Sequence, residues 1–224
     1  MLETAMPLDI KICGLKTPEA VDAAIKGGAT HLGFIFFEKS PRYVEPEVAG
    51  GLAKAARGRA KTVAVTVDAE DDFIDRIVYA MQPDMLQLHG AESPARVTGL
   101  KQRYGLPVMK ALSIRSADDL EAASAYEGVA DMLLFDAKPP RGSELPGGNG
   151  VSFDWSLLTG LDRVPHYMLS GGITIGNVGE ALEMAQPAGL DISSGVESTP
   201  GVKDIAKISE FLTHVSKTRM AGAA

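Results

Sequence analysis

A thiol at Cys13, a carboxylate at Asp136 and two glycine-rich turns have residue types and spacings suited to chemistry. The turns, Ser170-Gly171-Gly172-Ile173 and Ser193-Ser194-Gly195-Val196-Glu197, each follow a short apolar run and precede a helical pattern. Glycine lets the backbone approach a ligand closely, and amide hydrogens left free at a helix start attract an anion. Gly171, Gly172, Ser194 and Gly195 together therefore favour a phosphate site over two unrelated tight turns. Cys13 closes Asp9-Ile10-Lys11-Ile12-Cys13, where a period of two puts Lys11 and Cys13 on one face. A neighbouring ammonium favours thiolate and predicts a thiol more acidic than the roughly 8.5 of free cysteine. The competing reading is a buried structural cysteine. Asp136 closes Met132-Leu133-Leu134-Phe135-Asp136 and either caps the following turn or carries a proton in a reaction.

Lys11 and three further side chains, His89, Arg42 and Asp191, are candidates for substrate binding. His89, after Leu86-Gln87-Leu88, is the histidine placed at the carboxyl end of a strand; His31 and His166 begin strands and His214 sits in the last helix. That distribution predicts no three-histidine metal site, and there is no His-Glu-x-x-His pair, so His89 is read as a hydrogen-bond donor or as structural. Arg42, in Lys39-Ser40-Pro41-Arg42-Tyr43, is the best forked donor for a substrate carboxylate, against the ordinary reading of a solvated arginine. Asp191 shares a strand face with Ser193. It either accepts from a ligand hydroxyl or amine or pairs with Lys11.

The elements that must position these residues repeat. Strand-like runs begin near Asp9, His31, Lys61, Asp84, Pro107, Asp131, His166 and Leu190, at intervals of 22 to 35 residues, about one βα unit each. Helix starts lie between them, at Thr17-Pro18-Glu19, Ser93-Pro94 and Ser116-Ala117-Asp118, each with a capping hydroxyl. Eight strands alternating with eight helices predict a single-domain, closed (β/α)8 TIM barrel rather than an open doubly wound sheet. In such a barrel reactive groups lie at the carboxyl ends of strands, and the loops after strands 7 and 8 grip phosphate. Strands 1 and 6 are three steps apart around the ring, so Cys13 and Asp136 can flank one substrate as a separate base and acid. The last helix, Asp204 to Val215, is predicted to bury Ile205, Ile208, Phe211 and Leu212, with an aperiodic, fraying tail from Lys217. Ala137 to Gly150 holds four glycines and three prolines. It is too long for a plain connection and is read as a lid or as an insertion without a role.

A formal charge of −7 with no basic run argues against a nucleic-acid surface. A phosphorylated small-molecule substrate must then be held by local charges and amide dipoles. The single cysteine excludes an internal disulfide and a cysteine-based zinc site and fits a reducing compartment. No run reaches the length of a membrane span, and Met1 to Pro7 lacks a signal-peptide pattern. A cytoplasmic monomer or weak homodimer is expected.

From Asp9 to about Val215 the chain resembles the phosphoribosylanthranilate isomerase family of tryptophan biosynthesis. The resemblance rests on Lys11-Ile12-Cys13-Gly14, Gly33-Phe34-Ile35-Phe36 with Ser40-Pro41-Arg42-Tyr43, Gln87-Leu88-His89-Gly90, Leu134-Phe135-Asp136, Leu169-Ser170-Gly171-Gly172-Ile173 and Asp191 to Glu197. Gly147-Gly148-Asn149-Gly150 is similar to the family's lid loop. The resemblance implies an Amadori rearrangement of N-(5-phosphoribosyl)anthranilate without metal or organic cofactor. It makes Asp136 the general acid that opens the ribose ring and Cys13 the general base at the sugar's second carbon. Arg42 would hold the anthranilate carboxylate. A histidine-pathway phosphosugar isomerase would need a second phosphate grip, and the loops Asp68-Ala69-Glu70-Asp71 and His89-Gly90-Ala91-Glu92 are acidic and poor in glycine. A barrel that only binds a phosphorylated metabolite is the non-enzymatic alternative.

Overall fold

Residues 8–138, 147–148, 150–159 and 167–222 are described by a computed structural model. Its strands are β1 (Asp9–Cys13), β2 (His31–Phe36), β3 (Lys61–Thr66), β4 (Met85–Leu88), β5 (Val108–Ile114), β6 (Met132–Ala137), β7 (Tyr167–Leu169) and β8 (Gly189–Ile192). All eight run parallel and in chain order around a closed barrel, the architecture read from the sequence. β1 and β8 close it, with Lys11 opposite Asp191 and Ile12 opposite Ile192.

Alternation along each strand sorts two cores. In β1, Ile10 and Ile12 pack outward with the helices, whereas Cys13 joins an inner cluster that includes Val65, Met85, Met109, Leu134 and Met168. Unbranched methionines suit this interior, because their flexible thioethers fill irregular space between strands. Each fully buried side chain of this size contributes roughly 1.5–3 kcal/mol. The outer layer is α1 (Pro18–Lys26), α2 (Pro46–Ala56), α3 (Asp71–Met81), α4 (Pro94–Tyr104), α5 (Ala117–Ala123), α6 (Val178–Ala185) and α7 (Ile205–Gly222). Thr17 and Ser93 cap α1 and α4 as expected, accepting from the amides of Ala20 and Arg96. Such a cap is worth about 1 kcal/mol. At α5 the Asp119 carboxylate accepts from the Arg115 and Ser116 amides.

The structure departs from the sequence expectation in three places. Between β6 and β7 the described residues hold one 3-10 turn, Trp155–Leu158, instead of an α-helix; its buried Trp155 and Leu158 do the covering. Between β8 and α7 a small antiparallel hairpin, β9 (Glu197–Thr199) with β10 (Val202–Lys203), appears that the helical pattern did not announce. Helix α7 continues to Gly222, through positions read as an aperiodic tail, and it buries Ile208, Phe211, Leu212 and Val215 while Ile205 is 41% exposed. Most of the expected lid, 139–146 and 149, and His166 lie outside the described residues. No helix among the described residues is long and apolar enough to cross a membrane.

Candidate active site

The carboxyl ends of the strands open into a cleft lined by Cys13, Arg42, His89, Asp136, Asp191 and the turns at Gly171, Gly172 and Ser194. Eight of the ten residues singled out from the sequence therefore meet at one place. Lys11 and Gly195 are the exceptions: they do not line the cleft.

Lys11 is one pleat deeper than Cys13 and has no exposed surface. Its Nζ donates to Asp191 Oδ1 at 2.9 Å, so of the two readings of Asp191 the pairing is realised, while the same carboxylate also lines the cleft. Burial alone pushes the Lys11 ammonium down, but Asp191 and Cys13 outweigh it and hold its pKa above the ordinary value. Gly33 faces Cys13 across β1 and β2, and a β-carbon there would stand 2.9 Å from Cys13 Sγ and 3.0 Å from Lys11 Nζ. A side chain at residue 33 would force one of the two groups to shift. The expectation of an unusually acidic thiol is corrected: burial pushes the Cys13 thiol up, and the opposing charges of Lys11 and Lys203 do not overcome it. Part of the Lys11 charge is answered by Asp191, which itself raises the thiol.

Asp136 lies across the mouth. Its Oδ1 accepts from the Ala137 amide at 2.9 Å, so it does stabilise the local turn. Its Oδ2 is 3.3 Å from His89 Nε2, close but not aligned for a hydrogen bond. The buried Gln87 amide nitrogen sits 3.2 Å from the other ring nitrogen, His89 Nδ1. Above these groups passes the backbone of Gly147, where a β-carbon would come within 2.5 Å of Asp136 Oδ2.

Arg42 is neither solvated nor a free fork. It is buried, with Nε and Nη2 donating to Glu197 Oε1 and Oε2 at 2.8 and 2.9 Å, and Nη2 also to the Gly148 carbonyl at 3.2 Å. Glu197 accepts in addition from Lys203 Nζ at 2.8 Å. Burial alone pushes the Glu197 carboxyl up, but the Arg42 hydrogen bonds and the Lys203 charge hold it below the ordinary carboxylate range. Lys203 also donates to the Ser193 carbonyl, and Ser193 Oγ donates to the Cys13 carbonyl, so one network joins the ends of β1 and β8. Glu197 and Lys203 were not singled out from the sequence. The turn signal Pro200-Gly201 between them was available, and Gly201 does take φ +82°.

The two glycine turns have the expected form. Gly171 and Gly172 adopt φ +89° and +63°, which side chains disfavour. A β-carbon on Gly172 would press to 2.8 Å from the Ser152 amide nitrogen, and one on Gly195 to 2.1 Å from the Ile173 carbonyl. Both glycines are thus required by the packing of neighbouring backbone. Among the described residues none accepts from the amides of Gly171, Gly172, Ser194 or Gly195. Nor does any group of three His, Cys, Asp or Glu among them stand where it could hold a metal ion.

A closed (β/α)8 barrel with an acid and a thiol at the carboxyl ends of its strands is the architecture of the barrel enzymes, whose active sites lie at that face. The family model for N-(5'-phosphoribosyl)anthranilate isomerase matches residues 10–214, and the chain belongs to that family. It is 65% identical over 214 residues to the N-(5'-phosphoribosyl)anthranilate isomerase of Mesorhizobium japonicum, covering 96% of this chain and 98% of that one. Among solved structures, phosphoribosyl anthranilate isomerase from Thermotoga maritima superposes with a TM-score of 0.85 at 32% identity, covering 94% of this chain and all (100%) of that one. A similar structure holds reduced 1-(o-carboxyphenylamino)-1-deoxyribulose 5-phosphate; its TM-score is 0.81 at 31% identity, with 94% and 100% of the chains covered.

Proposed function

We propose that the chain isomerises N-(5-phosphoribosyl)anthranilate to 1-(2-carboxyphenylamino)-1-deoxyribulose 5-phosphate by acid–base catalysis, in the cytoplasm and as a step of tryptophan biosynthesis. The observation that carries this reading is the placement of Cys13 and Asp136 on one cleft, with the glycine turns and Arg42 around it.

In this reading the phosphate takes the amides of Gly171, Gly172 and Ser194, supported by Gly195 just behind. The anthranilate carboxylate meets Arg42. Asp136 gives a proton to the ribose ring oxygen, and the C1–O bond breaks to leave a Schiff base. Cys13, as thiolate, removes the proton from the second sugar carbon. The enolamine then tautomerises to the ketone, and the displaced proton returns from Cys13 to Asp136 through solvent. Lys11 steadies the thiolate from beneath, and Asp191 keeps Lys11 charged while facing the sugar hydroxyls. General acid and base each supply roughly two to four decades of rate, and holding the phosphate fixes the orientation. The test is direct: freshly made phosphoribosylanthranilate is added and the loss of anthranilate fluorescence is followed. No turnover by folded protein would refute the reading.

A further inference from the structure

The guanidinium of Arg42 has five N–H donors, and their present use limits what it can do with a ligand. Nε gives its hydrogen to Glu197 Oε1, and Nη2 gives its two to Glu197 Oε2 and the Gly148 carbonyl. Among the described residues none accepts from Nη1, and Arg42 lines the cleft. A side chain on residue 148 would close this opening, since a β-carbon there would lie 2.5 Å from Nη1. On the other side of the network Lys203 Nζ is committed to Glu197 Oε1, the Ser193 carbonyl and Ser193 Oγ. The cluster thus contains two cations and one anion with buried side chains, and of the Arg42 nitrogens Nη1 alone lacks an acceptor among the described residues.

We propose that Glu197 is a positioning residue for substrate recognition: it clamps the forked edge of Arg42, so the substrate's aromatic carboxylate is met end-on by Nη1. The inference rests on the reading above that Arg42 faces that carboxylate, and it goes further by replacing the expected two-pronged grip with a one-nitrogen contact whose direction Glu197 sets. Without the clamp the guanidinium is free to rotate about its long stem, and the carboxylate contact costs the ordering of that side chain. The contact exists equally in ground state and transition state, so its loss belongs in KM rather than kcat. The hairpin β9–β10, which follows β8 after the short 3-10 turn Ser194–Val196, supplies the network. It carries Glu197 and Lys203 on adjacent strands, with Lys203 opposite Glu197 in register.

The test compares wild type with Glu197→Gln, which keeps the shape and removes the charge. Each protein is titrated with reduced 1-(o-carboxyphenylamino)-1-deoxyribulose 5-phosphate, with its phenylamino counterpart lacking the carboxylate, and with inorganic phosphate. Expected is a loss of about tenfold or more in the preference for the carboxylate ligand, with phosphate affinity within about twofold and kcat within about threefold. Glu197→Asp, which keeps the charge on a shorter stem, should recover part of that preference. It also carries the test if Glu197→Gln does not fold, and then a drop of about threefold is the expected result. Equal weakening of both organic ligands, or an unchanged preference, would overturn the clamp and leave Glu197 a purely structural partner. Inactive wild type that also ignores the ligand's carboxylate would instead overturn the functional reading on which the clamp rests.

Discussion

Acid should destabilise this protein through His31, at the end of the barrel away from the cleft, and the size of the effect follows from what surrounds the ring. His31 is fully enclosed; its Nδ1 sits 2.8 Å from Thr30 Oγ1, and Nε2 has no partner among the described residues. Two influences compete for the ring. Burial, aided by Lys61 and Lys11, opposes the imidazolium; the Asp9 carboxylate, 3.9 Å away, favours it. Burial wins and pushes the pKa down from 6.5 to about 4. The unfolded chain therefore binds a proton between about pH 6.5 and pH 4 that the folded chain refuses, and stability falls as pH falls through that window. At 1.36 kcal/mol per unit the loss is about 3 kcal/mol, a large fraction of a typical net stability of roughly 5–15 kcal/mol. Urea unfolding of wild type and His31→Asn at pH 7 and pH 4 measures it, because the carboxylates common to both cancel in the difference. Wild type should lose about 3 kcal/mol more than the variant over that range. Parallel losses would show that Asp9 compensates for burial, and the reasoning would fail.

Cys13→Ala and Asp136→Asn should each lower kcat by about two to four decades in the fluorescence assay while leaving phosphate affinity intact; retention of a tenth of the activity would move that role elsewhere. Cys13→Ser should be as poor, since a hydroxyl is much harder to deprotonate. Because burial holds the Cys13 thiol above its ordinary value, the thiolate fraction grows with pH, and the residual kcat/KM of Asp136→Asn, which has no acid proton to lose, should climb steadily from pH 6 to about 8.5. A flat profile over that range would contradict a Cys13 base. Inorganic phosphate should raise the melting temperature of wild type by mass action, and folded Gly172→Ala should lose most of that rise. An undiminished rise in the variant would put the phosphate elsewhere.

What the sequence made legible is what periodicity and position can carry. The alternation of Ile10 and Ile12 with Lys11 and Cys13 separates outer core from inner core, and the closed barrel bears it out. Repeating strand ends place Cys13, His89, Asp136 and the glycine turns at one mouth, because a parallel barrel leaves them no other place. Periodicity does not name partners. Arg42 and Glu197 are 155 residues apart, and only folding brings them to 2.8 Å. For the same reason Arg42 looked like a free fork while most of its donors were already engaged. The exposure of Ile205 has a similar origin: the hairpin of β9 and β10 intervenes, and the helix starts buried packing one turn later, at Ile208. The thiol of Cys13 shows the limit most clearly. A lysine two residues away argues for an acidic cysteine only if its charge is unshared and water is near. The barrel supplies Asp191 and removes the water, so the neighbour visible in the sequence is real and its effect is reversed by neighbours that are not.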